Sequence, residues 1–246
     1  MQKHIDSIVS WLRERTEEAG AKGLVVGVSG GLDSAVVANL IKLAYPDQSL
    51  AVIMPIHTSE KNIQDALAVT SACNIEAMTV DLTETHDLMY RTISDELIQA
   101  KSFNEGKDQL ADANLRARLR MSTLYTIATH RNYLVVGTDN ASEWHTGYFT
   151  KYGDGGVDIL PLVEFTKTEV REMAKVLNVP DSVIHKVPSA DLWEGQTDEM
   201  EMGITYDVID AYLKGETVPE SDQVLIEKMH AQTEHKRNRI PMYRRK

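Results

Sequence analysis

Residues 24–34 read Leu-Val-Val-Gly-Val-Ser-Gly-Gly-Leu-Asp-Ser. The stretch opens as a short apolar run of strand length and passes through a glycine pair into helical Ser34–Ala44. That order makes a strand–turn–helix junction. Two adjacent glycines let backbone N–H groups curl round an anion, and the start of the helix adds the positive end of its dipole. Ser29 and Ser34 contribute hydroxyls, whereas Asp33 suits a magnesium ion beside phosphates rather than phosphate itself. The octamer Gly27-Val28-Ser29-Gly30-Gly31-Leu32-Asp33-Ser34 has neither the Gly-Lys-Ser/Thr ending of a Walker A loop nor a Gly-x-Gly-x-x-Gly turn. A tight turn with an Asp/Ser helix cap is the plainer alternative. The whole octamer after a buried strand favours the anion loop.

Outward from this junction, apolar β-rich runs alternate with helical patterns. A helix is predicted over 2–19, with Ile5, Ile8, Val9 and Leu12 on one face. Strands are predicted at Leu24–Ser29, Leu50–Pro55, Ile75–Leu82 and Tyr133–Gly137, with a short fifth at Val157–Pro161. Helices are predicted over 34–44, 60–73, 84–101, 108–131, 166–177, 205–214 and 221–235. The helix at Thr166 starts with a capping box, Thr166-Lys-Thr-Glu169. Residues 188–203 read as irregular, acidic and a candidate lid. The alternation predicts an α/β fold: one doubly wound, mostly parallel five-stranded sheet with helices on both faces. In such sheets ligands sit at the carboxyl ends of the strands where the order reverses. No repeat or long linker divides the chain, so residues 1–246 are expected to form a single domain.

Composition narrows the function. A net charge of −11 repels generic polyanions, so nucleic acid is not expected as a partner. No apolar run is long enough to span a bilayer, and Met1–Asp6 shows no leader-like apolar stretch, so no membrane partner and a cytoplasmic location are expected. The single cysteine, Cys73, makes no internal disulfide and no multi-thiolate metal site. Positive charge is concentrated at the end of the chain, where six of the eleven residues from Lys236 to Lys246 are Lys or Arg.

A second motif leaves the fourth strand: Gly137-Thr-Asp-Asn-Ala-Ser-Glu143, then Gly147-Tyr-Phe-Thr-Lys-Tyr-Gly-Asp-Gly-Gly156. Thr138 at a strand end can meet a nucleotide, and Glu143 can reach the metal that Asp33 holds. Lys151 is a positive group in an acidic protein; Asp154 and Asp158 are available to bond hydroxyls or ammonia. Singly, each is an ordinary solvated loop residue. In Asn114-Leu-Arg-Ala-Arg-Leu-Arg-Met121, Asn114 and Arg118 share a helix face, and Arg116 and Arg120 read as exposed arginines. Lys167 at a helix start opposes the dipole unless an anion lies nearby. His235-Lys236 closes a helix, where basic groups are already favoured. The carboxylates from Asp191 onward read equally well as surface charge, and Cys73 and Met54, Met78, Met173 and Met200 as packing.

The segment Ser29–Ser34 resembles the pyrophosphate loop of ATP pyrophosphatases, which cleave ATP between the α- and β-phosphates to adenylate a carbonyl oxygen. Together with the two elements after the fourth strand, the chain resembles the ammonia-dependent NAD synthetases. The resemblance runs from residue 27 to His235-Lys236. It implies amidation of deamido-NAD by ammonia through an acyl-adenylate, giving NAD, AMP and pyrophosphate. It places ATP on residues 27–34, Thr138, Lys167 and Ser189, and magnesium on Asp33 and Glu143. Deamido-NAD falls to Arg118, Lys151, Asp158, His235 and Lys236. Asp33 and Lys167 serve the chemistry, and Asp154 is the expected proton acceptor. A homodimer with the dinucleotide near the subunit interface is expected. Ammonia is the expected donor, since 246 residues leave no room for a glutamine-hydrolysing domain. Two other readings stand beside this one: another adenylating enzyme of the same loop class, such as a tRNA-thiolating enzyme, and a non-catalytic ATP-binding regulator.

Overall fold

A computed structural model describes residues 1–189, 195 and 197–245. The strands are β1 (Gly23–Gly27), β2 (Ser49–Ile53), β3 (Glu76–Thr79) and β4 (Tyr133–Val135). The helices, in chain order, begin with α1 (Gln2–Glu18), α2 (Leu32–Ala44), α3 (Glu60–Ala72), α4 (Thr83–Gln99) and α5 (Asp108–Arg131). They continue with α6 (Ala141–Thr146), α7 (Lys167–Val176), α8 (Asp181–Ile184), α9 (Asp198–Met202), α10 (Tyr206–Leu213) and α11 (Glu220–Arg237). All strand pairs are parallel, in the order β3-β2-β1-β4.

The apolar strands are buried on both faces, as parallel sheets require. From β1, Leu24 and Val26 enter a core with Ile5, Leu12, Val36, Leu40, Val170 and Met173, contributed by α1, α2 and α7. Val25, between them, points the other way, to Leu50, Val52, Leu124 and Ala128 under α5. A third, smaller core of Met202, Ile204, Tyr206, Ile209 and Ile226 joins α10 and α11.

Four of the five predicted strands form. The run 157–161 makes only one bridge, Val136 to Ile159. Its ladder is replaced by a side chain: the Val135 N–H donates to Asp158 Oδ2 at 2.7 Å, and the Asp158 N–H donates to Val135 O at 3.0 Å. α6 and α8 were not expected, being too short for a periodic apolar pattern, although α6 carries a legible capping box, Asn140 with Glu143. Within 188–203, α9 is helical where an irregular stretch was expected; Asp191 and Trp193 lie outside the described residues. Met54 and Met173 pack as expected, but Met78 and Met200 are exposed.

The order reverses between β1 and β4: the chain steps outward from β1 to β2 and β3, then returns to the far side of β1. The loops leaving β1 and β4 therefore face each other across the switch point. They carry residues 27–34 and 137–143.

Candidate active site

A cavity of about 570 Å³ opens at that switch point. Gly27, Val28, Ser29, Gly31, Leu32, Asp33 and Ser34 line it, as do Thr138, Lys167, Ser189, Asp154 and Lys236. Gly30 does not line it. It sits at φ +77°, and a Cβ there would stand 2.8 Å from both Ala66 N and Asn62 O, so this glycine serves the turn and its contact with α3. Inside the loop, Ser34 Oγ lies 3.2 Å from Ser29 Oγ, and the Gly31 N–H donates to Ser29 Oγ at 3.2 Å.

One ammonium joins the two loops. Lys167, the first residue of α7 and almost fully buried, donates to Asp33 Oδ2 at 2.6 Å and to Glu143 Oε1 at 3.0 Å. Burial alone lowers its pKa, but the two carboxylates outweigh that and hold it above the ordinary lysine range. Glu143 is pushed up to about 7, because desolvation and neighbouring Asp33 exceed the pull of Lys167. Asn140 Nδ2 donates to Asp33 Oδ1 at 2.9 Å, and the Tyr206 hydroxyl donates to Glu143 Oε1 and Asp198 Oδ2 at 3.1 and 3.0 Å. Two carboxylate oxygens already converge on a single cation. Such hard donors fit magnesium, so Asp33 and Glu143 are chemically able to hold it.

Asn140, Tyr206 and Asp198 were not singled out in the sequence. The Asn140-x-x-Glu143 cap was the available signal for the first. Asp198 falls among carboxylates that read equally as surface charge, yet it is buried, and its pKa is raised by desolvation. Arg116 and Arg120 also depart from expectation. Arg116 pairs with Asp112 at 2.8 Å, and Arg120 Nε donates to Met54 O at 3.1 Å from the cavity wall. Asp154 accepts the Thr150 N–H at 2.9 Å and faces the cavity; desolvation lifts its pKa above the ordinary range.

The residues expected around the dinucleotide are placed differently. Arg118 donates twice to Lys151 O at 3.4 Å, and Lys151 Nζ donates to His235 O at 2.5 Å. These three meet beside the 147–156 loop but do not line the cavity. Lys236 does line it, donating to Gly147 O at 2.7 Å and Phe149 O at 2.6 Å. Asp158 accepts from the Val135 N–H and from the Tyr125 hydroxyl, the latter at 3.0 Å, contacts that tie the 157–161 run to β4 and α5.

The family model for NAD synthase matches residues 4–241. The chain belongs to the NAD synthase family. It is 55% identical over 241 residues to the NH(3)-dependent NAD(+) synthetase of Alkaliphilus oremlandii, covering 98% of this chain and 96% of that one. Among solved structures, NMN synthetase from Francisella tularensis superposes with a TM-score of 0.90 at 39% identity, covering 98% of each chain. The NH3-dependent NAD synthetase from Campylobacter jejuni gives 0.79 at 26% identity and 99% coverage of both. The parallel sheet with its flanking helices thus matches the fold of NAD synthetase structures over nearly the whole chain.

Proposed function

We propose that the chain is an ammonia-dependent NAD synthetase: deamido-NAD, ATP and ammonia are converted to NAD, AMP and pyrophosphate. The observation that carries this is the convergence of Asp33, Lys167 and Glu143 on one point at the mouth of the 27–34 loop, within a chain 55% identical to an NH(3)-dependent NAD(+) synthetase. A regulator that only bound ATP has no need of a buried cation between two buried carboxylates, since that arrangement is costly unless it is used. The tRNA-thiolating alternative loses its footing for the same family reason.

The substrate carboxylate attacks the α-phosphorus of ATP, the bond to the bridging oxygen breaks, and pyrophosphate leaves. Ammonia then attacks the acyl carbon; AMP departs with the former carboxylate oxygen, and one proton must be taken from nitrogen. The N–H groups of residues 29–34 at the head of α2 hold phosphate oxygens. Lys167 and Ser189 extend that grip, and Thr138 meets the nucleotide. Asp33 and Glu143 would hold magnesium, which when bound would supply positive charge against the leaving pyrophosphate. Asp154, raised by burial, accepts the proton from the attacking nitrogen. Lys236 holds the dinucleotide from the cavity side, and Arg118, Lys151 and His235 hold it from outside.

A second copy of the chain completes that outer half. α4 exposes Leu88, Met89, Ile93, Leu97 and Ile98, and buries only His86. Neighbouring α5 buries Ala113, Leu124 and Ala128 of its 24 residues and carries exposed Leu110, with Asn114 and Arg118 on the same stripe. An apolar face of this size marks an interface, and a homodimer through α4 and α5 sets it beside the dinucleotide residues.

The test is formation of AMP and pyrophosphate from ATP and magnesium with deamido-NAD, with ammonium or glutamine as nitrogen source. Nicotinate mononucleotide runs in parallel, because the Francisella tularensis relative is an NMN synthetase. AMP and NAD in equal amounts, dependent on deamido-NAD and supported by ammonium, is the expected result. Turnover of the mononucleotide alone replaces the substrate assignment, and no AMP with either overturns the synthetase reading.

A further inference from the structure

The geometry points to a transition-metal site at His57, His86 and Asp87, of the zinc class and separate from the Asp33–Glu143 pair. His57 Nε2 lies 2.6 Å from Asp87 Oδ1, and His86 Nδ1 lies 3.0 Å from the same oxygen. The three ligand atoms all fall within 4.8 Å of one another. Two imidazole nitrogens and one carboxylate oxygen are borderline donors, matching zinc or cobalt better than magnesium. Three protein ligands leave a fourth position for water.

The residues around the trio are arranged as they are behind ligating histidines. His86 is 3% exposed, and its other nitrogen, Nε2, lies 2.8 Å from Asp112 Oδ1. A carboxylate this near the rear nitrogen favours the tautomer with its proton there, which leaves the front nitrogen free to ligate. Arg116 holds Asp112 Oδ2 at 2.8 Å and donates to Ile56 O at 3.2 Å, so the guanidinium ties the loop bearing His57 to the helix behind His86. His57 stands at φ +51°, a left-handed conformation that non-glycine residues adopt at a cost and that aims its ring at α4.

At metal–ligand distances of about 2.0–2.1 Å, tetrahedral ligand atoms stand about 3.3 Å apart. Asp87 is half exposed on a helix surface, so its carboxylate can withdraw by about 0.7 Å from His57 and about 0.3 Å from His86 to reach that spacing, and the two ring nitrogens already lie within 4.8 Å of each other. The site also has a position that matters: Pro55 and Thr58, on either side of Ile56–His57, line the nucleotide cavity. A bound ion therefore anchors that wall of the cavity to α4.

Cobalt(II) is the probe, titrated into the full-length chain after chelation, with excess magnesium present to occupy the carboxylate pair. The expected result is the visible absorption of four-coordinate cobalt, saturating at one ion per chain and abolished by zinc but not by more magnesium. His57→Ala and Asp87→Ala, both at exposed positions, are expected to remove these bands while leaving the circular-dichroism spectrum and thermal midpoint in place. Absence of the bands in the unsubstituted protein overturns the site. So does their persistence in either variant.

Discussion

The wall of the cavity at the ends of β1 and β4 and the surface beside α4 and α5 are built by opposite rules. In the first, Asp33, Asn140, Glu143, Lys167, Asp198 and Tyr206 hold one another through side chains that are mostly buried. In the second, Arg118 and Lys151 hydrogen-bond to backbone carbonyls, Lys151 also lies over the Tyr152 ring, and five apolar side chains of α4 lie open. A closed network is already shaped for its ligand. A set of long cationic side chains resting on carbonyls is waiting for an anion and a neighbour. On the proposed function, the nucleotide half of the site belongs to one chain, and a second copy finishes the dinucleotide half.

The strongest way to break this contrast is Lys167→Met. Removing the ammonium leaves Asp33 and Glu143 facing each other in a desolvated wall, which costs about 3–5 kcal/mol unless a carboxyl takes up a proton. AMP formation should fall by about 10²–10³-fold, as when a positioned charge is removed from a developing anion. The urea midpoint should drop as well. A variant with full stability and full turnover would show the network to be decoration.

Asp154→Asn comes next and separates chemistry from binding. Turnover with ammonium should fall by about 10²-fold, while the KM for ATP stays within about twofold. An equal loss in ATP binding would instead make Asp154 part of the nucleotide wall. Its contacts are local, with the backbone N–H groups of Thr150 and of Asp154 itself, and its side chain stands in the cavity wall, which favours the first outcome.

These two variants also mark what was legible in the sequence. The loop at 27–34, Glu143, Lys167 and Asp154 stand in ordered motifs, and the structure gathers them round one cavity. β1 and β2 were legible because strands buried on both faces are written as unbroken apolar runs. What escaped was decided by partners far along the chain. Tyr206 reaches Glu143 and Asp198 only after α10 folds back on α7, and no local spacing announces that. The bond from the Val135 amide to the Asp158 side chain, which stands where a fifth-strand ladder was expected, has no signal in the motif either. His57 and His86 sit 29 positions apart with a whole β-strand and helix between them, so their meeting is a property of the fold.

The second half of the comparison is sharpened by Ile93→Glu, at the centre of the Met89–Ile93–Leu97 stripe of α4. Light scattering should show a dimer converted to monomer. The KM for deamido-NAD should rise by about tenfold, equivalent to about 1.4 kcal/mol, while ATP binding by the isolated chain persists. A monomer with an unchanged dinucleotide KM would mean that each chain finishes its own site.

The smallest effect concerns α6, which joins the two regions: Glu143 points from it into the cavity, and His145 stacks on His230 of α11 at 4.2 Å. Burial, then the neighbouring His230 and Arg237, pulls His145 down to about 4. The unfolded chain, with an ordinary histidine pKa of about 6.5, therefore binds more protons than the folded one between those values. Stability from this group is complete above about pH 6.5 and is lost as pH falls toward 4. Because the side chain is only partly enclosed, the loss is a fraction of that expected for a fully buried ring. Urea titrations at pH 7, 5.5 and 4.5 should show a midpoint that declines with acidity, and His145→Phe should flatten part of that decline. Hydrogen exchange should detect the weakening first where α6 meets α11, since that contact carries both the His145–His230 stack and the Thr233 hydroxyl's bond to Thr146 O at 3.1 Å. If α6 stays protected while α10 opens, the joint between the two regions lies elsewhere, and the link between Lys236 and the cavity runs through the 147–156 loop instead.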